Sequence, residues 1–130
     1  MAIYPTPEAI QGLLASPSDE PFVMVNLLRF KPKADAPDEG LTGAEAYRRY
    51  GDAMRALVER HGGRILWTGR VDAVVIEDGA ARYDAVALVE YPSRKAFVAI
   101  ATSAEVREIG VHRTAGLESQ WLLAATPGEP

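Results

Sequence analysis

Two periodicities divide the chain. From Phe22 to Leu28 nearly every position is apolar (Phe22, Val23, Met24, Val25, Leu27, Leu28), with Asn26 as the exception. Successive side chains of a strand point to opposite faces, so a strand of this composition is covered on both. Beyond Gly43 the pattern changes. Tyr47, Tyr50, Met54, Leu57 and His61 recur at steps of three and four, while Arg48, Arg49, Asp52, Arg55, Glu59 and Arg60 fall mostly outside that stripe. This predicts an amphipathic helix. Strand-like runs return over 64–77, 83–91 and 117–125, and a second helical stretch lies between the last two. The predicted order is β-α-β-β-α-β.

Local signals mark the boundaries. Thr6 caps a short leading helix over 7–15, with Pro7 at its first position. Thr42 and Glu45 have capping-box spacing, and Gly62-Gly63 stops the helix they begin. Gly69 predicts a bend or bulge in a long strand, and Asp78-Gly79 a hairpin turn. Ser93 caps the second helix, whose face is Phe97, Ile100 and Ala101. Ser103 opens a further helical segment through Val106 and Ile109, so that His112-Arg113-Thr114 falls in an irregular link before the last strand. The polar, proline-rich stretch 31–40 reads as a long loop and a candidate lid.

The expected fold is therefore α+β and ferredoxin-like. A four-stranded antiparallel sheet carries its helices on one face. Two helices cannot cover both faces of four strands. The doubly apolar strands thus predict that a second copy of the chain covers the other face, in a two-fold homodimer. One domain spans 1–130, with its core over about 22–125 and a tail over 126–130. A chain of 130 residues is long enough for a core without disulfides or metals.

Composition narrows the function classes. A net charge of −4 argues against a nucleic-acid partner, and the arginines of the first long helix are interleaved with acids. There is no cysteine, which removes disulfides and thiolate chemistry. The start Met1-Ala2-Ile3-Tyr4-Pro5 lacks the pattern of a signal peptide, and no apolar run reaches membrane-spanning length. A soluble cytoplasmic protein with no membrane partner is expected. No phosphate loop, dinucleotide fingerprint, nucleophile elbow or HExxH motif is present. With only two histidines and no metal-ligand spacing, no metal site and no cofactor are expected. A single histidine could hold a haem iron, but no other mark of haem accompanies it.

The candidate chemistry lies in polar residues set among apolar ones. Asn26 is either satisfied by a fixed partner in the core or held ready for a ligand, because an unpaired buried amide costs on the order of 1–3 kcal/mol. Arg29, three residues on, points to the opposite face of a regular strand, and either pairs with Glu90 or binds an anion. His112 can exchange a proton near neutral pH, or is a loop histidine bonded to backbone. Glu90 is a base or half of a salt bridge. His61 reads as a structural residue at a helix C-terminus. Tyr47, Tyr50 and Trp67 supply pocket walls, or simply core and interface.

Several blocks are shared with a known family. They are Val25-Asn26-Leu27-Leu28-Arg29-Phe30-Lys31-Pro32, Gly43-Ala44-Glu45-Ala46-Tyr47-Arg48-Arg49-Tyr50, Gly62-Gly63-Arg64-Ile65-Leu66-Trp67, Val89-Glu90-Tyr91-Pro92-Ser93-Arg94 and His112-Arg113-Thr114-Ala115-Gly116-Leu117-Glu118. In this order they resemble the family of domain of unknown function 1330, over about 22–125. The resemblance implies a dimeric α+β barrel. That superfamily holds cofactor-free monooxygenases, muconolactone-isomerase-like enzymes, haem-degrading proteins and stress-responsive domains, with sites in a cleft between sheet and helices. It implies no catalytic residues for this chain, since the family has no established reaction.

The expectation is a homodimer with one small-molecule pocket per subunit. Asn26 and Arg29 would orient a small organic ligand, His112 or Glu90 would move a proton, and Trp67 with Tyr47 or Tyr50 would form a wall. The alternative is a non-catalytic binding or interaction module.

Overall fold

A computed structural model describes residues 2–79 and 82–130. Its elements run α1 (Pro7–Ala15), β1 (Phe22–Phe30), α2 (Gly43–Arg60), β2 (Arg64–Arg70), β3 (Ala85–Tyr91), α3 (Arg94–Ala101), α4 (Ala104–Gly116) and β4 (Leu117–Ala125). The strands form one antiparallel sheet in the order β2-β3-β1-β4, the split arrangement of a ferredoxin-like α+β fold.

The caps act as their residue types dictate. Thr42 accepts from the Glu45 amide while the Glu45 carboxylate accepts from the Thr42 amide, which closes a capping box. These bonds hold the Glu45 carboxyl below its ordinary value. Ser93 and Ser103 accept from the Ala96 and Val106 amides and start α3 and α4. Gly62, at φ 85°, ends the turn after α2, where a side chain would be strained.

The register assigns each side chain to a face. Phe22, Met24, Asn26, Leu28 and Phe30 of β1 face the helices, and Val23, Val25, Leu27 and Arg29 face the other way. The core lies on the helix side. Phe22, Met24, Leu57, Val58, Val89, Tyr91, Phe97 and Ile100 are buried together; the Phe22 and Tyr91 rings stack, and Phe97 meets both edge-on.

Three expectations are corrected. The strand predicted over 64–77 ends at Arg70. Its irregularity lies between Ile65 and Trp67 rather than at Gly69. Gly69 instead makes room for the Trp67 ring, which would sit 2.2 Å from a Cβ there. Residues 71–79 form an irregular arm, and residues 80 and 81 of the expected hairpin turn lie outside the described residues.

The second correction concerns 104–116, which is continuous helix, so His112 is helical rather than part of a link. The Ser103 cap opens α4, and no proline interrupts the run. Gly116 then lets α4 approach the start of α2: a Cβ there would stand 2.3 Å from the Gly43 carbonyl.

Third, the stretch 31–40, expected as a candidate lid, belongs to a loop over 31–42 that is held to the neighbouring helices. Lys31 and Asp35 amides donate to the Gly116 and Ala115 carbonyls (2.8 and 3.0 Å), and the Gly43 amide donates to Lys31 O at 3.1 Å. These bonds fasten the loop to the ends of α4 and α2.

Candidate functional site

The expected site residues divide between the two faces of the sheet. Asn26 faces the helices, as do Tyr47 and Tyr50 from α2, where the Phe30, Tyr47 and Tyr50 rings pack at centroid distances of 5.4 Å. Arg29, Trp67 and Glu90 belong to the opposite face. The two halves of the expected pocket are thus separated by the sheet itself. Arg29 lies 3.8 Å from Glu118, whereas Glu90 pairs with Arg64 at 3.0 Å, so the expected Arg29–Glu90 pair is replaced by two others. The cause is register: Val23, not Arg29, stands opposite Glu90.

On the helix side a polar relay enters the core. Arg113 Nη2 donates to Gln120 Oε1 (2.6 Å), and Gln120 Nε2 donates to Asn26 Oδ1 (2.8 Å). Asn26 Nδ2 donates onward to the Met24 and Ala87 carbonyls at 3.3 and 3.2 Å. The Asn26 amide is therefore satisfied by fixed partners, and Arg113 is the end of the relay that meets solvent. The same Nη2 donates to the Ile3 carbonyl, and the guanidinium lies over the Tyr4 ring at 5.3 Å.

Arg113 and Gln120 form the polar wall of a cleft of about 260 Å³. Its apolar walls come from Ile10 and Leu13 of α1, Met24 of β1, Phe97 of α3 and Leu122 of β4. The segment 2–5 closes one side. The Gln120 amide donates to the Ala2 carbonyl at 3.1 Å, which seats that segment against β4. The cleft has an apolar body and a single charged group.

A second cluster lies where the 31–42 loop meets α2 and α4. The Asp38 carboxylate is wholly inaccessible. It accepts from His112 Nδ1 at 2.7 Å and from Arg49 Nη1 at 2.8 Å. His112 remains partly exposed. A carboxylate that fixes the proton on Nδ1 leaves Nε2 as the basic nitrogen, and Nε2 has no partner among the described residues. His61 Nδ1 donates to the Leu57 carbonyl (2.9 Å) at the end of α2, a capping arrangement.

Burial pushes the Tyr47, Tyr50 and Tyr91 hydroxyls above their ordinary titration range. Neighbouring tyrosines raise Tyr47 and Tyr91 further, while the Arg113 charge opposes the shift at Tyr47 and Tyr50. These phenols stay neutral donors at physiological pH. Among the described residues no group of three or more acidic or histidine side chains is placed to hold a metal ion, and no helix is long and apolar enough to cross a membrane.

Asp38, Arg49, Arg113 and Gln120 were not singled out by the sequence pattern. For Arg113 and Gln120 a signal existed: continuing the helix from Ser103 through Arg113 places it beside β4, and alternation along β4 puts Gln120 on the helix side. Nothing local marks Asp38, whose role depends on a loop folding back.

The domain of unknown function 1330 model matches residues 39–126. The chain is similar to a protein of unknown function from Rhodopseudomonas palustris, solved as a structural genomics target. Identity is 38% over 98% of both chains, with a TM-score of 0.88. The methylated form of that protein gives 37% identity over 99% of this chain and 96% of the other, with a TM-score of 0.87. An Arabidopsis thaliana protein is 15% identical over 84% of this chain and 97% of its own, with a TM-score of 0.57, a likeness of fold. No curated protein matches the sequence at a significant level.

Proposed function

The chain belongs to the family of domain of unknown function 1330, and on that premise we propose that it is a homodimeric small-molecule-binding domain whose ligand occupies the cleft between α1, the 2–5 segment and the helix side of the sheet. The observation that carries this reading is the composition of that cleft. Ligand sites are concave and mostly apolar, with a few polar groups that fix orientation, and here Arg113 and Gln120 are those groups in a wall of Ile10, Leu13, Met24, Phe97 and Leu122. Its volume of about 260 Å³ favours a small metabolite. Thermal-shift measurements with a panel of small organic metabolites test the reading. A true ligand raises the melting temperature of the unmodified chain, and Leu122→Trp, which fills the cleft, removes the shift. No shift with any compound would reject it.

The homodimer is supported by the sheet face away from the helices, which the 71–79 arm borders at Leu27 and Val86. Val25, Leu27, Val86 and Leu88 form its centre, flanked by Trp67 and Trp121, which are 56% and 58% exposed. The charged residues on this face, Arg29 with Glu118 and Arg64 with Glu90, are already paired at its margins. An apolar centre with a polar rim is the anatomy of a protein interface, and a face carrying its own balanced charges suits an identical partner.

A second reading, proton-transfer catalysis without a cofactor, is favoured by the Asp38–His112 bond. A histidine so oriented can take up a proton on Nε2 as a general base. His112 is not among the residues that line the cleft, so this reading places its substrate at the Asp38–His112 cluster, and His112→Gln should abolish turnover there while leaving binding in the cleft unchanged. Binding without any turnover would favour the non-catalytic module.

A further inference from the structure

Arg113 carries more donors than the protein uses. Both of its protein hydrogen bonds leave from Nη2, one to the Ile3 carbonyl and one to Gln120 Oε1. Among the described residues neither Nε nor Nη1 has an acceptor, neither is sealed from solvent, and no carboxylate pairs with the guanidinium. Its immediate partners are a peptide carbonyl, a neutral amide and the Tyr4 ring. A half-buried cation with only neutral partners lacks the counter-charge that such groups usually have.

The unused donors have a geometry of their own. Nε–H shares its edge with Nη2, which is already engaged, so the open end of the planar guanidinium is Nη1, whose N–H groups can donate charge-assisted hydrogen bonds to an anionic oxygen. The Nη2 bonds to Ile3 and Gln120 pin the plane from the other side. Gln120 is itself held by Asn26 through the relay into the sheet. The cation is therefore oriented before a ligand arrives. Among the described residues the lining supplies no second basic side chain besides Arg113.

We infer that the cleft takes a monocarboxylate with a compact apolar body, its carboxylate accepting from Nη1 of Arg113 and its apolar part against Met24, Phe97 and Leu122. This rests on the small-molecule reading above and narrows it to one ligand class. A dicarboxylate would bury a second charge against apolar walls with no cation to meet it. A neutral analogue would leave the guanidinium without its counter-charge.

The test uses the full chain and calorimetric titration with matched probes: benzoate and hexanoate, the corresponding primary amides, and succinate. Benzoate or hexanoate should bind at least tenfold more tightly than its amide and than succinate. Arg113→Met should weaken carboxylate binding by roughly tenfold to a hundredfold, the worth of a charge-assisted hydrogen-bonded pair, and leave the amides unchanged. Circular dichroism confirms that the variant is folded. Leu122→Trp, which retains Arg113, should remove binding of every probe. Equal binding of succinate, or equal binding of acid and amide with no effect of Arg113→Met, overturns the monocarboxylate inference while the cleft remains a ligand site. If no probe and no panel metabolite binds, both this inference and the small-molecule reading fail.

Discussion

Asp38 and His112, 74 positions apart in sequence, share a 2.7 Å hydrogen bond through a carboxylate that solvent does not reach. Arg49 from α2 completes the arrangement, so a single side chain ties the 31–42 loop to two helices. Removing one member of a buried, paired charge cluster costs about 3–5 kcal/mol. Because Arg49 is largely exposed and can rehydrate, Asp38→Ala is expected at the low end, about 3 kcal/mol. That corresponds to a fall in melting temperature of roughly 10 °C. Calorimetry checks it, and a fall of only a degree or two would show that the cluster adds little to the fold.

Gly116→Ala makes a different demand. The new methyl would fall 2.3 Å from the Gly43 carbonyl, and backbone atoms cannot swing aside as a flexible side chain can. Overpacking costs about 1–3 kcal/mol, so a lower denaturant midpoint is expected. The variant Gly51→Ala, where nothing lies within 4 Å of the added methyl, is the control and should be neutral or slightly stabilising.

Association is tested on the face of the sheet away from the helices. Trp121→Glu places a charge at the flank of the apolar centre of the proposed contact, and light scattering should show a monomer where the unmodified chain is a dimer. An unmodified chain that remains monomeric at high concentration would reject the homodimer.

Alkaline stability follows from the buried phenols. Tyr47, Tyr50 and Tyr91 have folded pKa values above the ordinary tyrosine value of about 10. Folding thus favours their neutral forms. The contribution is complete below pH about 10 and is lost as pH rises from there through the raised folded values, because the unfolded chain releases its protons first. The denaturant midpoint should fall steadily above pH about 10. Tyr91→Phe, which keeps the ring stacked on Phe22, should flatten that decline. An unchanged slope would mean that Tyr91 titrates as an ordinary surface phenol.

The elements legible in the sequence were those with local causes. The capping box at Thr42, the Ser93 and Ser103 caps and the Tyr47–Leu57 stripe each depend on residues within a turn or two, and the structure has them where the pattern put them. The doubly apolar β1 is one of the two inner strands of the sheet. What escaped depends on long-range register. Whether Glu90 meets Arg29 or Arg64 is decided by how three strands slide against one another, and one residue of slip exchanges the faces. The end of β2 escaped because 71–77 retains strand-like Val74, Val75 and Ile76 outside the ladder. Asn26 was visible as an oddity, but its satisfaction by Gln120 needed the position of β4.

α4 passes into β4 with no connecting residue: Gly116 is the last of the helix and Leu117 the first of the strand. The two side chains that would receive a ligand's polar end, Arg113 and Gln120, therefore sit on one unbroken piece of hydrogen-bonded backbone, seven positions apart. Neither can move without carrying the other. A binding site of this kind behaves as a rigid jaw, so a ligand loses little free energy to ordering the protein. Its selectivity should then show in how fast compounds leave more than in how fast they arrive.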